Sequence, residues 1–102
     1  MWLKKVVAKM NEISEGEIKE INVDGEEVIL VKSGGRVYAL SRYCSHEKAD
    51  LLTGFLTDDR LVCPLHLSQF DLVTGRALSP PATEPLKSYL VEVVDDDILL
   101  DI

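Results

Sequence analysis

The chain of 102 residues carries eighteen acidic against eleven basic side chains, a formal charge of −7. A chain of this length buries roughly 65% of its unfolded surface, enough for one modest core and not for separate cofactor and substrate domains. With 46% hydrophobic and 28% charged residues it is expected to fold by itself. Its negative charge argues against nucleic acid and anionic membranes as partners and favours a basic protein surface. The longest apolar runs span only a few residues, as at 28–31, so neither a membrane span nor a signal-peptide core near Met1 is expected, and the chain reads as soluble and cytoplasmic.

Apolar residues recur with a period near two in short runs rich in β-branched and aromatic side chains, the pattern of an all-β domain, and helix signals are weak throughout. A first strand over about 3–9, with Trp2 packed against it, gives way to a polar stretch at 11–17. A second strand at 18–23 runs into Asp24-Gly25, a pair that favours a tight hairpin because both residues tolerate positive φ, and a third follows at 27–32. Ser33-Gly34-Gly35 turns the chain into a fourth strand at 36–41. Further extended runs are expected at 55–56 and 60–62 about the polar turn Asp58-Asp59, and at 69–72 before Thr74-Gly75. A terminal hairpin pairs 87–94 with 98–102 about the solvated turn Asp95-Asp96-Asp97. Ser79-Pro80-Pro81-Ala82 must be a loop, since two successive residues lack the amide donor that a sheet requires.

The chemistry-bearing residues are concentrated. The chain has two cysteines and two histidines, and they fall into Cys44-Ser45-His46 and Cys63-Pro64-Leu65-His66, with sixteen residues between the two clusters. Each pair follows a predicted strand, so two loops held by a sheet can present four donors with little ordering left to do at binding. A structural zinc site usually takes both thiolates from one knuckle and both imidazoles from a helix, whereas here each loop supplies one of each. The Cys-x-His spacing is also tight for one ion, because residues two apart on an extended segment lie about 6–7 Å apart on one face. Two bridged ions fit better, and a 2Fe-2S cluster with two thiolates on one iron and two imidazoles on the other meets that requirement.

These two segments resemble the ligand motif of Rieske iron–sulfur proteins. Phe70-Asp71-Leu72-Val73-Thr74-Gly75-Arg76 is similar to the strand and turn after that family's second ligand loop, and Pro81-Ala82-Thr83-Glu84-Pro85-Leu86, with Tyr89 and Val91, resembles its proline loop and penultimate strand. The resemblance implies an antiparallel sandwich or partly open barrel over residues 1–102. The basal fold would lie at about 1–41 and 76–102, with a cluster-binding subdomain of two ligand loops at about 42–75. It implies that Cys44 and Cys63 bind the buried iron and His46 and His66 the outer one. Leu51 is either an ordinary core residue or part of the apolar cover of the cluster, Ser68 either a strand-edge serine satisfied by backbone or a hydrogen-bond donor to the cluster, and Pro81 either a plain turn residue or the cluster's lid, which the resemblance favours. The function implied is that of a small ferredoxin taking one electron at a time from a reductase to a ring-hydroxylating oxygenase or other acceptor, without catalysis of its own. A structural zinc module, or the Rieske-like small subunit of a nitrite-reductase-type complex, is the alternative.

The departures from the family pattern carry expectations too. No cysteine is left for the disulfide that ties the loops together in cytochrome bc-type relatives, so the loops are expected to be held by packing alone. Phe70 stands where high-potential members have a hydrogen-bonding tyrosine, which places the potential in the lower part of the Rieske range of about −150 to +300 mV. Reduction is expected to bring proton uptake at His46 or His66, so the potential should fall as pH rises. Leu67 and Pro80 replace usual glycines, and if the first site needs positive φ, Leu67 implies a strained or rearranged loop tip.

Overall fold

The computed structural model describes residues 4–44, 49–64, 67–80 and 84–101. Nine strands form two antiparallel sheets among them. The larger has the order β1(Lys4–Lys9), β9(Asp97–Asp101), β8(Ser88–Val94), β4(Arg36–Ser41), β3(Glu26–Ser33), β2(Ile18–Val23), and the smaller is β5(Phe55–Thr57), β6(Arg60–Val62), β7(Gln69–Asp71). Three hairpins close through two-residue loops whose central residues both have positive φ: Asp24 (51°) with Gly25 (90°), Gly34 (62°) with Gly35 (77°), and Asp58 (47°) with Asp59 (60°). Such turns match the right-handed twist of the strands they join, and Asp and Gly are the residues that reach them most cheaply. Met10–Glu12 and Leu51–Thr53 are short 3-10 helices that the period-two pattern does not announce.

The strand expectations hold to within a residue or two, with one instructive exception to the period of two. Val28, Ile29, Leu30 and Val31 on β3 are all fully buried. Strand β3 lies between two cores. Val28 and Leu30 join Ala8, Val23, Val37, Ala39, Ile98 and Leu100 in one cluster, while Ile29 and Val31 join Leu40, Cys44, Leu51, Leu61, Cys63, Phe70, Leu72 and Leu86 in the other. Ala8 on β1 and Val23 on β2 come from the two outermost strands of the six-stranded sheet, so for both to share a core the sheet must curl into a partly open barrel. A Lys5 to Asp24 ion pair also links these two edges. The barrel's other face carries the second core, which contains both cysteines. Asp97 belongs to β9 rather than to the terminal turn, which is Asp95-Asp96.

Candidate metal centre

The first loop begins where β4 ends. The Cys44 amide donates to Ala49 O (2.9 Å), closing a six-residue loop, and below it Tyr43 and Asp50 form an isolated antiparallel bridge. Leu51 N donates to Arg42 O (2.8 Å), and Asp50 caps the following 3-10 helix by accepting from Leu52 N (3.0 Å). Across the stem, Arg42 Nε and Nη2 grip the two oxygens of Asp50 at 3.0 and 2.8 Å, a fork-to-fork pair. That guanidinium holds the Asp50 carboxyl below its ordinary value, helped by the Leu52 amide, and Asp50 in turn raises Arg42. The loops therefore do not rest on packing alone: an ion pair and a capping carboxylate anchor the first, and neither residue stood out in the sequence because the signal is a contact between positions eight apart.

The second loop is the tip of the β6–β7 hairpin. Cys63 N donates to Ser68 O (2.8 Å) and Leu67 N to Cys63 O (3.0 Å). Both cysteines thus open a six-residue loop closed by the same bond, from the cysteine amide to the carbonyl five residues on. Leu67 has φ 61° and is 60% exposed, so the loop keeps a left-handed tip at a residue without glycine's freedom. Replacing Leu67 by Gly removes that strain at the cost of a floppier unfolded chain, and a net gain of about 0.5–1 kcal/mol is expected. The melting temperature should rise with no change in the visible spectrum, and an unchanged or lower midpoint would contradict the assignment of strain.

Leu51, Ser68 and Phe70 are fully buried, and Leu51 and Phe70 share one apolar cluster with Cys44 and Cys63. His46, His66 and Pro81, together with Trp2, lie outside the described residues. Two glycines also shape the site. A Cβ on Gly54 would stand 2.5 Å from Val62 O, the carbonyl just before Cys63, and one on Gly75 would stand 2.3 Å from Leu86 O. The fit to a metal group rests on the donor chemistry: an anionic thiolate in an apolar cluster is tolerable only with a cation beside it, and the structure brings both cysteines into one such cluster.

The Rieske [2Fe-2S] domain model matches residues 3–90, so the chain belongs to the Rieske [2Fe-2S] domain family. It is similar to the 3-phenylpropionate/cinnamic acid dioxygenase ferredoxin subunit of Shigella flexneri, at 44% identity over 93 residues covering 89% of this chain and 86% of that one. Among solved structures, the ferredoxin of carbazole 1,9a-dioxygenase from Nocardioides aromaticivorans IC177 matches with TM-score 0.90 and 35% identity over 96% of each chain. A complex of reduced oxygenase and oxidized ferredoxin in carbazole 1,9a-dioxygenase matches with TM-score 0.88 and 29% identity, over 96% of this chain and 92% of that one. Within the family the chain is a Rieske ferredoxin, an electron-transfer protein whose cofactor is a 2Fe-2S cluster and which is not itself a catalyst. Among the described residues no helix is long and apolar enough to cross a membrane.

Proposed function

We propose that this chain carries single electrons in the cytoplasm from a reductase to a ring-hydroxylating oxygenase, with its cluster held by Cys44 and Cys63 on one iron and His46 and His66 on the other. The observation that carries the ligand assignment is the matched pair of cysteine-headed loops, each closed from cysteine amide to the fifth carbonyl on, with both thiols in one buried cluster. Residues 1–102 act as one Rieske domain, its basal barrel at about 1–41 and 76–102 and its cluster-binding subdomain at about 42–75. The solved oxygenase–ferredoxin complex of the carbazole system supports an oxygenase as acceptor.

When bound, the cluster supplies a one-electron couple. The residues around it have three tasks. The two thiolates anchor the group inside the apolar cluster, which keeps water from one side. Ser68, fully buried at the closure of the second loop, would donate a hydrogen bond that favours the reduced state and nudges the potential up, while Phe70 offers none and would keep it in the lower part of the range. The acidic surface, −7 over the chain, steers the protein onto basic patches of its partners for brief docking.

Visible absorption and electron paramagnetic resonance of the purified protein, before and after dithionite, provide the test. A coloured protein with the signal of a mixed histidine and cysteine cluster is expected, lost in Cys63→Ser. A colourless protein with stoichiometric zinc would replace this reading with the structural one.

A further inference from the structure

The two ligand loops are supported unequally. The second closes a hairpin, so the ladder of β6 and β7 carries it directly: Arg60, Leu61 and Val62 pair with Asp71, Phe70 and Gln69. The first has no such ladder among the described residues. Its stem is a single bridge between Tyr43 and Asp50, and β4 ends two residues before Tyr43. One isolated bridge is weak support for a loop that must hold a ligand still.

Arg42 occupies that gap. Its backbone amide donates to Glu27 O on β3 (3.3 Å), and its carbonyl accepts from Leu51 N on the far side of the loop (2.8 Å). Its side chain is 19% exposed and reaches three carboxylates: both oxygens of Asp50, Glu20 Oε2 on β2 at 2.6 Å and Glu27 Oε1 on β3 at 3.8 Å. One guanidinium thereby joins the strand leading into the loop, the residue leading out of it and the two strands beneath. An exposed pair of lysine and carboxylate would contribute little, but a fork held on both sides and shared among several carboxylates is the geometry in which ion pairs do matter. Without it three carboxylates would face one another across the stem and push it apart.

We propose that Arg42 is a positioning residue for the cluster: its clamp on Asp50, anchored to Glu20 and Glu27, fixes the first ligand loop against the barrel and holds Cys44 in place. The proposal rests on the ligand assignment given above. Lysine at this position keeps the charge but not the fork, and Asn at position 50 can still cap Leu52 while weakening the grip.

The test compares Arg42→Gln, Arg42→Lys, Asp50→Asn and the Arg42→Lys/Asp50→Asn pair as holoproteins. Two rates are followed: bleaching by an iron chelator and hydrogen exchange at single amides. Bleaching is expected to speed up about tenfold in Arg42→Gln and several-fold in each milder variant, with the pair no faster than its worse member because both changes remove one interaction. Exchange should rise at the Cys44 and Leu51 amides and stay put at Cys63, and the resonance of the reduced protein should broaden. Bleaching within twofold of the parent in every variant, or equal acceleration of exchange at Cys44 and Cys63, would overturn the clamp. Should Arg42→Gln fail to fold, Asp50→Asn still decides, because its cap is retained. A parent protein without the Rieske signal would sink the ligand assignment instead, and the exchange rates at Cys44 and Leu51 would still judge the clamp.

Discussion

Gly75→Ala is expected to destabilise the protein by about 4 kcal/mol, about 1–2 of it from placing a Cβ in the left-handed region and the rest from a collision with backbone that cannot step aside. Gly75 has φ 77°, and the added carbon would sit 2.3 Å from Leu86 O and 3.1 Å from Leu86 C. That contact is part of a joint. Gly75 N donates to Asp71 O (2.8 Å), Leu86 N donates to Gly75 O (2.7 Å), and Asp71 Oδ1 accepts from Val73 N (2.7 Å) to hold the turn. The joint ties the end of β7 to the segment before β8, whose Leu86 is buried in the same cluster as both cysteines. Against a total stability of about 5–15 kcal/mol, this loss should lower the melting temperature by roughly 20 °C. Gly16→Ala is the control, with φ 83° but nothing within 4 Å of the added carbon, so it carries the conformational penalty alone. Equal losses at the two positions would show that backbone conformation, and not the close approach to Leu86, is what Gly75 supplies.

The two glycines also show which parts of the molecule can be read along the chain. Asp24-Gly25 and Gly34-Gly35 were legible as turns because the requirement for positive φ is met by the residues themselves. The proposed ligand motif stands out along the chain for a similar reason: donor type and spacing are local properties. Leu67 is a middle case, where the departure from glycine raised the alternative of strain or rearrangement and the structure shows strain, at φ 61°. The burial of both faces of β3 could not be read from alternation, because it depends on the smaller sheet and the loops bearing Cys44 and Cys63 lying across the barrel, and that is decided by residues far along the chain. Arg42 and Asp50 look like ordinary surface charges in the sequence, and nothing local distinguishes Asp50, which grips Arg42, from Asp58 or Asp59, which make a turn. Gly54 is similar: its φ is an ordinary −73°, and its reason for being glycine is the carbonyl of Val62 across the sheet.

The second large effect is expected at Phe70, where stability and potential are separable. Its ring is fully buried on β7, opposite Leu61 in the ladder and bridged to Ala77, within the cluster that contains Cys44 and Cys63. Truncation to Ala should remove about 3–5 kcal/mol through lost burial and the cavity left behind, a loss comparable to that at Gly75. Phe70→Tyr keeps the ring and adds a hydroxyl to an apolar site. If the hydroxyl finds no acceptor, the variant loses about 1–3 kcal/mol and the potential does not move. If it reaches a cluster sulfur, the bond favours the more negative reduced state and the potential rises. The second outcome is expected, because the resemblance to high-potential relatives places their hydrogen-bonding tyrosine here, and a rise in potential in Phe70→Tyr with the visible spectrum retained would establish that this aromatic position sets the potential. A potential equal to the parent's would leave Phe70 as a packing residue whose cost on truncation is its entire contribution.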